Sequence, residues 1–346
     1  MRKWIDMHCD TLSELLPAET LEENSLGVDR KRMEQTKMLA EFFACFVYVP
    51  DGKWEEAYQK VMEMVARMEC ETKENKKLKI EPEKLKEQNF VVFGMKACDV
   101  QGVEVLDKVF LADPVDSFYA ARREHGTIVA MACHEPEETC FCKVFGIDAA
   151  APAADVATWM IGEDLYWKAL TEKGEKLTEA VKELLAEAEE QPVEEEKEAI
   201  HKIVEKLPYM NLSLEGWGAD ALSEKFDSPI WEELYKPCLK CGTCTFVCPT
   251  CQCYDIKDYD TGHGVSRYRC WDSCMYSDFT MMAHGNNRTS QMQRFRQRFM
   301  HKLVYYPANN DGMYSCVGCG RCVEKCPSAL NIVKVIKAFE KQGGND

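Results

Sequence analysis

Long apolar runs are missing from this 346-residue chain: no stretch approaches 18 uninterrupted hydrophobic residues, so a membrane-spanning helix is not expected. The opening MRKWIDMHCDTLSELL carries acids where a secretory signal would carry its apolar segment, and the expected address is the cytoplasm. Basic charge is scarce too. With 43 Lys and Arg against 59 Asp and Glu, the formal charge of −16 repels nucleic acid and anionic membrane, and neither is expected as a partner. There is no phosphate loop, no GxGxxG fingerprint and no Ser-His-Asp arrangement, so neither a flavin nor a nicotinamide site is expected within the chain. What remains, at 46% hydrophobic and 29% charged, is a globular composition with enough length for two or three cores.

Cysteine is abundant. Nineteen thiols, an odd count without an export signal, read as metal ligands rather than as a disulfide framework. The stretch CLKCGTCTFVCP (238–249) sets three cysteines at intervals of three, a fourth after four more and then a proline, and CVGCGRCVEKCP (316–327) repeats it. Thiols at every third position of a tight loop can grip one iron-sulfur cube, with the fourth ligand coming from elsewhere. Gly242, Gly318 and Gly320 suit such loops, because a residue without Cβ lets backbone N–H groups approach cluster sulfur. Zinc is the alternative, but zinc sites need neither the third cysteine nor the Cys-Pro ending.

The doubled motif resembles that of two-cluster ferredoxins, in which the fourth cysteine of each run ligates the other cluster. That resemblance implies two 4Fe-4S clusters, one held by Cys238, Cys241, Cys244 and Cys326 and the other by Cys316, Cys319, Cys322 and Cys248. Four more thiols stand between the runs: Cys251 and Cys253 in TCQCYD, and Cys270 and Cys274 in RCWDSC. They could hold a further metal or cluster. The preferred reading of Cys251, Cys253 and Cys274 is that they pack around the first cluster as soft, polarisable neighbours. Beyond them TSQMQRFRQRFMHKLVYY (289–306) predicts an amphipathic helix started by Thr289 or Ser290, apolar at Met292, Phe295, Phe299 and Leu303. Residues 263–302 carry seven Lys or Arg against two acids, which reads as a solvated face, a docking surface or electrostatic support for anionic clusters.

Upstream, NFVVFGMKACDV (89–100) and GTIVAMACHEP (126–136) predict buried parallel strands joined by helical material that breaks at Asp113-Pro114. Cys98 and Cys133 then fall at the carboxyl ends of two strands of one sheet, where open α/β sheets place ligands, and Cys140 and Cys142 follow in the next loop. These four predict a third 4Fe-4S cluster, the alternative being a set of buried free cysteines. Cys9, Cys45 and Cys70 stand alone and read as small hydrophobes. Between the sheet and the paired motifs, residues 171–207 carry 12 Glu against 6 Lys and predict one or two surface helices broken near Pro192, with a short helix at 228–235.

From about residue 85 onward the chain resembles the A-type iron-sulfur subunits of anaerobic sulfite reductases and the related β subunits of cytoplasmic sulfhydrogenases. The matching segments are KACDVQGVEVLDKVFL, CHEPEETCFC, CLKCGTCTFVCPTCQCYD, WDSCMYSDFT, FRQRFMHKLVYYP and CVGCGRCVEKCP. The resemblance implies an electron relay between a FAD-containing, NAD(P)H-oxidising partner and a catalytic subunit, of a sulfite reductase first and of a NiFe sulfhydrogenase as the alternative. Residues 1–80 depart from it. IDMHCDTLSELL resembles the opening of membrane-dipeptidase-like zinc peptidases, which would make His8 and Asp10 a vestigial zinc-type pair; with only seven His in the chain, a complete site of that kind is not expected.

The expectation is an α+β multidomain protein. A dipeptidase-like segment (1–80) precedes an α/β domain (81–170) and an acidic helical region (171–232); a dicluster ferredoxin-like domain (233–346) follows, with a long insert (254–312) between its two motifs. The expected role is non-catalytic electron transfer. A metallohydrolase with an accessory ferredoxin domain and a cluster-bearing sensor are the competing classes.

Overall fold

The computed structural model describes residues 84–262 and 264–343, and before them the backbone of two short strands, β1 Asp6–Cys9 and β2 Glu41–Phe43, which pair in parallel. The side chains of His8 and Asp10, and of Cys9, Cys45 and Cys70, lie outside the described residues. Two units divide the chain: residues 1–84 with 256–269, and residues 85–255 with 270–346. The sequence-based boundaries at 170 and 232 both fall inside the second unit.

That unit opens with β3 Phe90–Met95, α1 Ala97–Phe110, α2 Ser117–His125 and β4 Gly126–Met131, followed after a long loop by β5 Val156–Ile161 and β6 Asp164–Ala169. Strand order is β3-β4-β5-β6, with β3, β4 and β5 parallel and β6 antiparallel to β5. The strand-helix-strand reading matches β3 to β4. Central β4 is buried at Ile128, Val129 and Ala130. The expectation that both strands are buried does not hold for β3: it is the sheet edge, and Val91, Val92 and Phe93 stay exposed. The β5–β6 hairpin was not anticipated, although VATWMI-GE-DLYWKA carries its signal, with Gly162 supplying the left-handed turn residue at φ +64°.

Apolar residues at Ala97, Val100 and Val105 give α1 its buried face, and Lys108 in its last turn complements the helix dipole. Asp116 caps α2 by accepting from the Tyr119 amide at 3.0 Å. The two helices are then pinned together, because Arg123 forks onto Asp107 at 2.8 Å on each carboxylate oxygen while the Tyr119 hydroxyl donates to the same carboxylate at 2.7 Å.

The acidic region forms α3 Glu172–Val181 and α4 Gln191–Val204. Pro192 starts the second helix instead of breaking one: in the first turn its missing N–H costs nothing, and the real interruption is the stretch 182–190. Ile200 and Val204 bury against Ile147, Ala157 and Trp159 of the sheet domain, while the glutamates stay in solvent.

The twin motifs contribute two one-turn helices, α5 Thr243–Phe246 and, further along the chain, α7 Arg321–Glu324. A second core is built by α6 Gln291–Met300 and α8 Ile332–Gly343; the former starts at Ser290 with a reciprocal capping box to Gln293 and runs into a wider π turn at His301–Tyr305. Phe295, Phe299 and Leu303 pack with Trp231, Ile332, Ile336 and Phe339, each contributing roughly 1.5–3 kcal/mol of burial. The short helix Trp231–Leu234 lies within the range expected. Between the motifs, Tyr254–Asp260 (β7) and Val265–Trp271 (β8) form a two-stranded ribbon, within which Arg267 forks onto Asp258 at 2.8 and 2.9 Å. Among the described residues no helix is long and apolar enough to cross a membrane.

Candidate cluster-binding site

Each motif turns by the same device. Gly242 and Gly320 sit at φ +73° and +74°, and each starts a one-turn helix, α5 or α7, that redirects the chain so the next cysteine faces inward. Around the first motif, Cys238, Cys241 and Cys244 line one cavity together with Cys326 of the other motif, and Met275, Phe295, Phe299 and Leu330 complete the wall. The Leu330 amide donates to the Cys326 sulfur at 3.2 Å, an N–H···S bond of the kind that tunes a cluster ligand. Cys241 is exposed, and the Thr243 hydroxyl 3.3 Å from its sulfur holds its pKa below the ordinary thiol value. Cys244 shows the opposite shift: burial raises it, with Arg298 opposing.

The second motif gathers Cys316, Cys319 and Cys322 with Cys248 of the first. Burial pushes Cys316 up to about 12 and raises Cys319 and Cys322 as well, and the repulsion of each by its neighbours, Cys248 included, adds to the effect. Cys248 alone shifts downward, because Lys302, Arg298 and the Thr250 hydroxyl outweigh the burial that would raise it. Desolvated thiols facing one another cannot all ionise unless a polycation joins them, a charge that bound iron would supply.

Among the described residues no three His, Cys, Asp or Glu side chains are placed to hold a single metal ion. Four thiols in each set are the donors that a 4Fe-4S cluster takes. The Ser315 hydroxyl, next to Cys316, is buried without a hydrogen-bond partner, and bound sulfide would give it an acceptor.

The third set also converges. Cys98 opens α1 at the end of β3, Cys133 follows β4, and Cys140 and Cys142 come from the loop beyond. Cys140 and Cys133 lie close enough to raise Cys142, and Cys142 close enough to raise Cys98, although burial is the larger cause in every case; Cys140 and Cys142 reach about 11. This set abuts the second motif. The Cys140 sulfur lies 3.7 Å from the Cys319 carbonyl, and the Phe141 amide donates to the Gly318 carbonyl at 2.7 Å. A Cβ on Gly318 would stand 2.4 Å from the Phe141 carbonyl oxygen, and one on Gly320 would stand 2.6 Å from that of Thr139. Arg321 forks onto Asp99 at 2.6 and 2.8 Å across the same junction.

Cys251, Cys253 and Cys274 come together as well, close enough to perturb one another's ionisation, beside Lys302 and Arg298. Cys270 is half-buried on β8. The cations are what sequence reasoning left unresolved. Arg294, Arg298 and Lys302 are buried, so on this helix the solvated-face reading fails. The signal was available: positions 298 and 302 lie three and seven residues beyond Phe295, on its own apolar stripe.

Residues 237–330 match the family model described as a 4Fe-4S dicluster domain. The chain is also similar to sulfhydrogenase 2 subunit beta of Pyrococcus furiosus, at 35% identity over 249 residues, which is 71% of this chain and 73% of that protein. No solved structure matches.

Proposed function

Because this chain belongs to the family of the sulfhydrogenase beta subunits, we propose that it is the iron-sulfur electron-transfer subunit of a hydrogenase-type oxidoreductase complex. One cluster takes Cys238, Cys241, Cys244 and Cys326, and the other takes Cys248, Cys316, Cys319 and Cys322. The observation that carries this reading is the crossover: Cys326 closes the cavity of the first motif, while Cys248 stands among the thiols of the second. Cys98, Cys133, Cys140 and Cys142 hold a third cluster against Cys319. When bound, 4Fe-4S clusters store and pass single electrons. The chain's own residues supply the rest. Thiolates fix the sites, Leu330 and Arg298 bond to ligand sulfur, and Phe295 and Phe299 form an apolar wall on one side of the first.

The three sets have an order. Cys241 opens the first to solvent, Cys248 and Cys326 cross between it and the second, and Cys319 joins the second to the third, so electrons enter or leave through the two outer sets. A FAD-containing NAD(P)H-oxidising subunit and a catalytic subunit are the partners we assign to those ends. The sulfhydrogenase relative favours a hydrogenase over a sulfite reductase as the catalytic one.

Anaerobic isolation followed by iron and acid-labile sulfide counting tests the reading. About twelve irons per chain are expected, about eight would remove the third cluster, and colourless protein carrying zinc would overturn the function. Cys319→Ala, mixed with the flavin subunit, is expected to leave flavin reduction intact and stop electron delivery.

A further inference from the structure

We propose that Arg298 and Lys302 are the positioning charges of the two twin-motif clusters: fixed, buried cations that make it easier to add an electron to each. The inference rests on the ligand sets just assigned and deepens them. Arg298 and Lys302 stand four residues apart on α6 and its π turn, only 3% and 4% exposed. Arg298 bonds directly to a ligand of the first set, its Nε donating to the Cys244 sulfur at 3.2 Å while its second nitrogen donates to the Cys244 carbonyl at 2.6 Å.

Lys302 is held between the two segments that carry the second set. Its ammonium donates to the Thr250 hydroxyl at 2.6 Å and to the Ser315 carbonyl at 2.9 Å, two residues after Cys248 and one before Cys316. Thr250 closes the triangle by donating to the same carbonyl at 2.6 Å.

Neither cation has a carboxylate partner among the described residues. The groups they face that can turn anionic are thiols: Cys244, Cys248, Cys322 and Cys274 for Arg298, and Cys248, Cys316 and Cys251 for Lys302. Two like charges this close, both removed from water, are costly to keep unless something negative lies among them. Four thiolates around an iron-sulfur core are negative, and become more so with each electron accepted, so both cations favour the reduced state. Arg294 offers the contrast. It is buried on the same helix but donates to the Arg288 carbonyl.

The test is a redox titration followed by electron paramagnetic resonance on the anaerobically isolated full chain, with iron and sulfide counted in every sample. Arg298→Met is expected to disfavour reduction of the first cluster at least tenfold, which is about 59 mV for one electron. Lys302→Met is expected to do so at the second, and Arg294→Met to move neither. Retained iron with unmoved potentials in the first two variants overturns the proposal. If a Met variant arrives without iron, Arg298→Lys or Lys302→Arg decides: iron regained shows that the site requires the charge and supports the proposal, whereas iron lost again means the residue only clamps its loop and overturns it. Wild-type protein without iron would instead defeat the ligand assignment beneath.

Discussion

Gly318→Ala is the sharpest test of how the sheet domain meets the second motif. The glycine sits at φ +58°, where a side chain costs about 1–2 kcal/mol. Its new Cβ would fall 2.4 Å from the Phe141 carbonyl oxygen, 2.5 Å from the carbonyl carbon and 2.7 Å from the Cys142 Cα, all backbone atoms that no rotamer change can move. The Thr139–Cys142 loop must therefore retreat, and the Phe141 N–H to Gly318 carbonyl bond is lost for about 1 kcal/mol more. The sum is about 2–3 kcal/mol, or roughly 4–9 °C in apparent melting temperature for a chain of this size. Gly312→Ala is the matched control, since Gly312 has φ +81° but no atom within 4 Å of its Cβ, so only the backbone strain of about 1 kcal/mol applies. Melting curves and iron counts on both variants check the reasoning. Gly318→Ala should melt well below Gly312→Ala and lose about a third of the iron, because the retreating loop carries Cys140 and Cys142. Equal melting and equal iron in the two variants would show that the loop does not seat on Gly318.

His301 is half-buried beside Lys302, Arg298 and Arg288, and desolvation first, then those charges, push its pKa from 6.5 down to about 4. Above pH 6.5 it is neutral whether the chain is folded or unfolded; below, the unfolded chain binds a proton that the folded one refuses, so stability falls between pH 6.5 and 4 by up to about 3 kcal/mol. His301→Phe should flatten that part of the pH profile of melting, and an unchanged slope would place the acid sensitivity elsewhere. Removing iron with a chelator should raise amide hydrogen exchange in β4 as well as in α6, because Val317 of the second motif buries in the sheet core and Val323 in the helical one. Undisturbed β4 after complete iron loss would mean that the sheet domain folds independently of the motif.

The sequence made legible whatever depends on local spacing. The twin motifs, the β3-to-β4 crossover, the capping of α6 at Ser290 and its apolar stripe all follow from residues a few positions apart. What it left open depends on partners far along the chain. Arg298 and Lys302 look like surface cations until Cys244, Thr250 and Ser315 are placed against them. Pro192 read as a break because its context allowed either a helix end or a helix start, and the interruption before it settled the matter. The exposure of Val91 and Phe93 turns on β3 lying at the sheet edge, which composition cannot reveal.

Residues 85–255 and 270–346 form one compact unit, and the second motif contributes to that. Residues 316–327 are too short to own a core, so their apolar members are divided: Val317 enters the sheet core with Ala97, Ala132 and Trp159, while Val323 enters the helical core with Phe299 and Ile336. Polar contacts tie the same helix of the sheet domain to the motif and to the helical core, with Arg321 reaching to Asp99 and the Tyr306 hydroxyl donating to the Val105 carbonyl at 2.7 Å. A loop that both halves must grip cannot shift relative to either without opening one of them. For a chain whose proposed task is to pass electrons between fixed sites, that shared grip holds the second set in register with the third, where two domains on a flexible linker would not.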